Sequence, residues 1–291
     1  MPVDFRVMGV LNVTPDSFSD GGRFLEARAA VARARALVEE GAEIVDVGGE
    51  STRPGAEPVA LEEELARVVP VLEGLGEAGL TASSQISIDT CKAAVARAAL
   101  EAGASMVNDV SALRADPQMA GVVADSGADC CLMHMLGEPR TMQRAGGARY
   151  ADVVDEVKAF LEERLSFAVR EGIGEERILL DPGIGFGKTA AHNLALLERL
   201  GELATLGRPL LVGTSRKSFL GRIIADAAGE AESVEPARRL PGTIATNVLA
   251  LERGASVFRV HDVAPVRDAL AVAAATLGER WTARGTTTQT S

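Results

Sequence analysis

Residues 41–47 read Gly-Ala-Glu-Ile-Val-Asp-Val, a glycine–alanine pair that follows an alanine-rich stretch and precedes a short apolar run. Glycine ends a helix readily because it adopts the left-handed conformation without a steric penalty. The run that follows lacks strict alternation, which is typical of a strand covered on both faces. The stretch therefore predicts a helix that ends at Gly41 and a buried strand over Ile44–Val47.

The same pattern recurs along the chain, at Gly103-Ala104 before Met106–Val107, at Gly127-Ala128 before Cys130–Met133 and at Gly254-Ala255 before Val257–Val260. Further strands are predicted at Val7–Leu11, Ile86–Ile88, Ile178–Leu180 and Leu210–Val212, with helical segments between them. Eight strands that alternate with helices favour an α/β fold of the TIM (β/α)8 barrel type in a single domain. A doubly wound open sheet is the alternative, because periodicity alone cannot close a barrel. The barrel domain is predicted to span residues 1–283, and the threonine-rich residues 284–291 a flexible tail.

Charge, apolar stretches and cysteine content exclude several classes of protein. The 291 residues carry a formal net charge of -11, which argues against a nucleic-acid or anionic-membrane partner. The start of the chain lacks a basic, apolar signal peptide, and no apolar stretch reaches the ~20 residues of a membrane span. The cysteines, Cys91, Cys130 and Cys131, form neither a disulfide framework nor a metal motif, so reduced thiols in a cytosolic protein are expected.

Polar residues gather where the predicted strands end. They are Asn12, Asp46, Asp89, Asn108, His134, Asp181, Arg259 and His261. A single aspartate at such a position is more often a helix cap or turn former. Barrel enzymes place their active sites at the carboxyl ends of the strands, so the eight together predict an active site there.

Four loops at the same end carry further signals. Residues 12–24 and 48–58 form two long Gly/Ser/Thr/Asp/Pro-rich loops, which are typical of binding loops, although surface excursions are an alternative. Residues 181–189 end like a phosphate-binding P-loop, but Pro182 stands where the first glycine is required, so ATP binding is rejected. Phe186 in this loop could form a wall for a flat ligand. Residues 213–218 combine glycine, hydroxyls and two cations, which suits an anion or an electron-rich ring better than a solvated turn.

At this point the motifs resemble one family. Residues 8–22 and 46–55 are similar to the two loop signatures of dihydropteroate synthases, and the later motifs follow in family order at residues 87–90, 108–109, 132–135, 181–188, 215–218 and 259–262. The resemblance covers residues 5–278. Its only visible departure is Cys91, where the family commonly has other residues.

The resemblance implies a folate-pathway transferase that condenses 6-hydroxymethyl-7,8-dihydropterin diphosphate with p-aminobenzoate, giving 7,8-dihydropteroate and diphosphate. It implies pterin binding by Asp89, Asn108, Met133, Asp181, Lys217 and Arg259, and p-aminobenzoate binding by Phe18, Thr52, Arg53, Pro54, Phe186 and Ser218. Diphosphate would be bound by Asn12, Thr52, Arg259 and His261, with Mg2+ at Asn12. The residues expected to be catalytic are Lys217, Arg259, His261 and Asp89. Family members are cytoplasmic homodimers and sulfonamide targets.

Other functions fit the sequence less well. A methyltetrahydrofolate:corrinoid methyltransferase would share Asp89, Asn108 and Asp181 as ring binders but needs no diphosphate site. A non-enzymatic pterin-binding or scaffolding protein would need no catalytic positions. A barrel aldolase is disfavoured, because no lysine lies within a predicted strand to form a Schiff base.

Overall fold

Eight parallel strands close a barrel in the computed structural model, which describes residues 4–13, 22–51, 56–137 and 149–278. The strands are β1 (Arg6–Asn12), β2 (Ile44–Gly48), β3 (Gln85–Asp89), β4 (Met106–Asp109), β5 (Asp129–Met133), β6 (Ile178–Asp181), β7 (Leu210–Val212) and β8 (Ala255–Val260). Each strand pairs with the next in sequence, and β8 pairs with β1, where Met8 lies opposite Arg259. The predicted TIM barrel is confirmed. The doubly wound open sheet is wrong, because the first and last strands are bonded to each other.

Helices connect the strands on the outside. The described residues form α1 (Gly22–Glu39), α2 (Leu61–Glu77), α3 (Leu80–Ser83), α4 (Ala93–Glu101), α5 (Met119–Ser126), α6 (Val153–Arg170), α7 (Ala190–Glu198), α8 (Leu200–Ala204), α9 (Ser218–Ala228), α10 (Leu240–Glu252) and α11 (Val263–Leu277). Two short 3-10 helices span Glu175–Arg177 and Pro236–Arg239. The glycine of each of the four Gly-Ala pairs predicted to end a helix has positive φ: 103° at Gly41, 103° at Gly103, 65° at Gly127 and 96° at Gly254. The repeated helix-end signal is therefore confirmed.

The barrel has two cores. A large one lies between the strands and the helices, and a smaller one fills the barrel interior with Met8, Ile44, Met106, Cys131, Leu179, Leu211 and Val257. Side chains alternate along a strand, so residues two positions further on face the same interior. Those residues are Val10 and Gly213, together with the functional candidates Asp46, Asn108, Met133, Asp181 and Arg259. The apolar layer thus forms the floor on which a polar site is built.

The strands extend further than their apolar runs predict. Asn12, Asp89 and Asp181 are the last residues of their strands, and Asn108 is the penultimate residue of β4, rather than the first residues of loops. Three of these side chains form hydrogen bonds within the site: Asp89 with Arg259, Asn108 with Asp46, and Asp181 with the backbone N–H of Gly183.

Some sequence predictions concern residues outside the described ranges. Phe18, Thr52, Arg53 and Pro54 lie there, as do residues 284–291 and parts of both long loops. All three cysteines are free; Cys130 and Cys131 are buried, and Cys91 is half-buried. None of the helices in the described ranges is long and apolar enough to cross a membrane.

Candidate active site

Arg259 lies at the centre of the carboxyl end of the barrel, between two carboxylates. Its Nε donates to Asp46 Oδ2 at 2.6 Å, and its Nη2 donates to Asp89 Oδ2 at 2.8 Å. Burial alone lowers the pKa of Arg259, but the attraction of Asp46 and Asp89 outweighs it and leaves the pKa raised. The guanidinium is therefore a permanent cation whose plane is fixed from two sides.

Asp89 and Asn108 lie opposite each other on neighbouring strands. Burial raises the pKa of Asp89 to about 7, against the lowering effect of Arg259. Asn108 Nδ2 donates to Asp46 Oδ2 at 3.0 Å, and its amide oxygen has no hydrogen bond among the described residues. The Asn108 oxygen is thus left to accept a donor from a ligand.

Asp181, at the end of β6, is the third acceptor and is only 7% exposed. Burial raises its pKa, while Lys217 and the backbone N–H of Gly183 lower it. That N–H donates to Asp181 Oδ1 at 2.6 Å. Gly183 has a φ of 66°, and a Cβ there would lie 1.8 Å from the carbonyl oxygen of His134, so only glycine fits. The glycine in this loop is what allows the carboxylate to be held at this point.

Lys217 and Phe186 face each other across the site. Lys217 Nζ lies 4.4 Å from the centroid of the Phe186 ring and donates to the carbonyl oxygen of Ile184. Burial lowers the pKa of Lys217 to about 8, although Asp181 opposes this. A lysine with this pKa retains most of its charge at neutral pH while giving up part of its hydration.

An apolar wall completes the pocket. Met133, Val110 and Met135 are buried together, and Cys91 and Phe186 pack against them. Cys91, the position that departs from the family pattern, therefore belongs to this wall. Such a wall suits a flat aromatic ligand whose polar edge meets Asp181 and Asn108.

His261 and Ser215 mark the side of the site expected to bind diphosphate. Ser215 Oγ lies 3.0 Å from His261 Nδ1 and accepts the backbone N–H of His261 at 3.2 Å. Asn12 is half-buried at the end of β1, the strand next to β8. Ser218 is exposed in the first turn of α9.

The two cations of the β7–α9 loop have different roles. Arg216 has a φ of 58° and turns toward Asp262, donating to its carboxylate at 2.6 and 3.0 Å. Lys217 instead lies over the Phe186 ring. The sequence predicts that both cations meet a ligand; this role stays a prediction for Lys217, while the charge of Arg216 is already paired with Asp262.

Lys188 is a buried cation that sequence reasoning did not assign. Its Nζ donates to the carbonyl oxygens of Gly183 at 3.0 Å and Phe186 at 3.2 Å, and lies 2.8 Å from His134 Nδ1. The lysine is bound to its own loop and is not available to a phosphate, which agrees with the rejection of a P-loop. The available signal was its rarity, since the chain has only four lysines.

His134 is expected to make the folded protein less stable as the pH falls. Burial, reinforced by the Lys188 ammonium, lowers the pKa of His134 from 6.5 to about 3. Below pH 6.5 the unfolded chain binds a proton that the folded chain rejects, so the stabilisation is present above this pH and is lost as the pH falls toward 3. From this residue alone we expect the free energy of unfolding to fall by about 2 kcal/mol between pH 6.5 and 5.

Urea unfolding at pH 6.5 and pH 5 tests this expectation, with wild type compared with His134→Asn. The asparagine oxygen can still accept from Lys188 but does not titrate. The loss of stability on acidification should be about 2 kcal/mol smaller in the variant. Equal losses in the two proteins would show that His134 is not the acid-sensitive group.

Comparisons with known proteins agree with this geometry. A family profile described as a pterin binding enzyme matches residues 8–261. The chain is 48% identical over 257 residues to a dihydropteroate synthase of Synechocystis, covering 88% of this chain and 85% of that protein. The dihydropteroate synthase of Xanthomonas albilineans, solved with 4-aminobenzoic acid, matches with a TM-score of 0.82 at 47% identity, covering 94% of this chain and 93% of that one. The complex of that organism's enzyme with 7,8-dihydropteroate matches with a TM-score of 0.80 at 45% identity, over 94% of both chains. This chain belongs to the dihydropteroate synthase family of pterin-binding enzymes.

Proposed function

We propose that this protein condenses 6-hydroxymethyl-7,8-dihydropterin diphosphate with p-aminobenzoate to give 7,8-dihydropteroate and diphosphate. The observation that carries the proposal is the convergence of Asp181, Asn108 and Lys217 beside an apolar wall, at the mouth where Arg259 is fixed. A pterin has a flat ring with an amidine-like edge of donors, which matches a buried carboxylate and an amide oxygen.

The site residues have separate roles in this proposal. Asp181, Asn108 and Asp89 bind the polar edge of the pterin, Lys217 meets the ring, and Met133 packs against it. Arg259 stacks on the ring and, with His261, holds the diphosphate. Phe186 and Ser218 would contact p-aminobenzoate together with Phe18, Thr52, Arg53 and Pro54, and Thr52 would also contact the diphosphate.

Mg2+ fits the donors that the chain offers. No group of three or more His, Cys, Asp or Glu side chains in the described ranges could hold a metal ion by itself. Mg2+ commonly keeps several waters and binds one or two protein oxygens together with substrate phosphates. The Asn12 amide oxygen at the barrel mouth is suited to that role. When bound, the ion would neutralise charge on the leaving diphosphate.

The chemistry requires positioning more than it requires a base. The bond between the methylene carbon and the diphosphate oxygen breaks, and diphosphate leaves with the electron pair. The resulting cation is delocalised into the electron-rich ring, and Arg259 and His261 stabilise the departing charge. The aniline nitrogen of p-aminobenzoate is neutral near pH 7, attacks the carbon and then loses a proton to water or diphosphate. A substrate analogue that cannot ionise yet reacts at the same rate would contradict this dissociative order.

The proposal includes a cytoplasmic homodimer of this protein. It is supported by the family and by exposed apolar side chains on the last two helices, Leu249 of α10 and Val272 and Leu277 of α11. Light scattering of the purified protein would test the dimer.

The methyltransferase alternative is not favoured, because the relatives at this level of identity are dihydropteroate synthases. Diphosphate release on mixing the pterin diphosphate, Mg2+ and p-aminobenzoate tests the proposal directly. Release that depends on p-aminobenzoate and accompanies dihydropteroate formation is expected. Pterin binding without release would instead indicate a methyltransferase or a binding protein.

The Lys217→Ala variant tests the role of Lys217 in the same assay. Loss of one charge-assisted contact to the ring is expected to lower diphosphate release by about 10- to 100-fold. Lys158→Ala is the matched control, because Lys158 is half-buried on α6 outside the barrel. A Lys217→Ala enzyme as active as the control would remove Lys217 from the site.

A further inference from the structure

We propose that Asp46 is the positioning residue of the pterin site, with one carboxylate oxygen that orients both Arg259 and Asn108 toward the ring. The inference rests on the function proposed above and gives a specific role to Asp46, which the sequence placed only among the eight candidate active-site residues. Asp46 itself lies in β2 below the site and is fully buried.

The contacts of Asp46 converge on a single atom. Its Oδ2 accepts from Arg259 Nε at 2.6 Å and from Asn108 Nδ2 at 3.0 Å. The first bond fixes the plane of the guanidinium. The second turns the Asn108 amide so that its nitrogen is occupied and its oxygen is free for a ligand donor. One atom therefore sets the orientation of a stacking surface and of an acceptor.

A purely structural role does not explain why a carboxylate is buried at position 46. The layer below Asp46 is filled by apolar side chains such as Met8, Ile44 and Met106. An apolar side chain of similar volume usually stabilises a barrel interior at least as well as a buried charge does. Within the described residues, Asp46 Oδ1 is moreover buried without a hydrogen-bond partner, which is unfavourable for the fold.

A charge-balancing role alone is also insufficient. Arg259 already has a carboxylate partner in Asp89, at 2.8 Å. Neutralisation of Arg259 would not require its second carboxylate partner to hold Asn108 as well. The geometry is instead that of a shared acceptor between two groups that meet the same ligand.

The test compares Asp46→Asn and Asp46→Ala with wild type, measuring the affinity for a pterin probe, pteroic acid, by calorimetry. Asparagine keeps the shape of the side chain, so a folded protein remains for measurement even where alanine prevents folding. We expect the dissociation constant to rise by about 10- to 100-fold in both variants, since alanine removes both contacts and asparagine removes the carboxylate charge that strengthens them. The KM for p-aminobenzoate should change by less than about threefold, within the spread of remote substitutions.

Ser87→Ala is the matched control. Ser87 lies opposite Asp46 on β3, is also fully buried, and its hydroxyl makes no hydrogen bond to any part of the chain that the structure describes. It differs from Asp46 in donating or accepting no hydrogen bond with Arg259 or Asn108. Pteroic acid affinity should stay within about twofold of wild type in Ser87→Ala, since no ligand contact depends on it.

A double-mutant cycle separates positioning from a general effect on the fold. If Asp46 acts through Asn108, Asp46→Asn should weaken binding less in an Asn108→Ala background than in wild type. Additive effects, or an unchanged affinity in Asp46→Asn, would overturn the proposal.

The outcome is separable from that of the proposed function. Non-additive losses in a protein that binds pteroic acid but releases no diphosphate would keep the role of Asp46 and reject the synthase activity. Normal pteroic acid binding by Asp46→Asn, in a protein that is an active synthase, would reject the role of Asp46 and keep the synthase activity.

Discussion

Replacing Asp181 with asparagine is expected to weaken pterin binding by about 100- to 10,000-fold. The wild-type carboxylate can accept two charge-assisted hydrogen bonds from the amidine-like edge, each worth about 1.5–3 kcal/mol. Asparagine carries no charge and presents an NH2 group that opposes one of the ring donors. A loss of about 3–6 kcal/mol corresponds to two to four orders of magnitude in affinity.

The fold should survive this substitution. The asparagine oxygen can still accept the backbone N–H of Gly183, which lies 2.6 Å from Asp181 Oδ1 in the wild type. The measurements are the dissociation constant for pteroic acid and kcat/KM for the pterin diphosphate. Asp129→Asn is the control, because Asp129 is a carboxylate at the opposite end of the barrel, bonded to Gln85 at 2.7 Å. Similar losses in the two variants would mean that Asp181 does not bind the ring.

The barrel could be predicted from the sequence because its signals are local. A helix end at Gly41 and the apolar run after it are neighbours in the chain, and the same pairing repeats at Gly103, Gly127 and Gly254. The inward-facing acceptors follow from the two-residue period of a strand. Asn108 and Asp181 could therefore be predicted as site residues, although the predicted strands ended one or two residues before the strands in the structure.

The pairing inside the site could not be predicted, because it depends on contacts between distant strands. Asp46 and Arg259 are 213 positions apart in the chain and 2.6 Å apart in space. Arg216 and Lys217 show the opposite case, since they are adjacent in sequence yet differ in role. The positive φ of Arg216 sends its side chain to Asp262, and no residue-type pattern indicates that turn.

Lys188 was missed for a related reason. The sequence places it at the end of a glycine-rich run, where a lysine would be expected to reach outward to a ligand. In the structure it points inward, to the carbonyl oxygens of Gly183 and Phe186. The sharp turns that expose those carbonyls to it come from glycines with positive φ, 66° at Gly183 and 86° at Gly185. Such a contact is a property of the folded loop.

Arg259→Met is expected to be the most damaging substitution in the barrel, because it affects both stability and ligand binding. The arginine side chain is itself 23% exposed, but it is paired with Asp46, which is fully buried, and with Asp89, whose side chain is 7% exposed. Removing one partner of a buried ion pair leaves an uncompensated charge and usually costs about 3–5 kcal/mol. We therefore expect the free energy of unfolding to fall by at least about 3 kcal/mol. The diphosphate should also lose its main cation.

Arg216→Met is the control that separates the effect of breaking a buried ion pair on stability from the effect of losing an arginine at this end of the barrel. Arg216 is paired with Asp262 at 2.6 Å, but the two side chains are 39% and 26% exposed. Pairs accessible to solvent contribute about 0–1 kcal/mol, so this variant should unfold close to wild type. Urea titrations of both variants at pH 7 give the comparison. If Arg259→Met lost no more stability than Arg216→Met, the pairing of Arg259 with Asp46 and Asp89 would contribute no more than a solvent-accessible pair. Arg259 would then not be the fixed cation on which the proposed site depends.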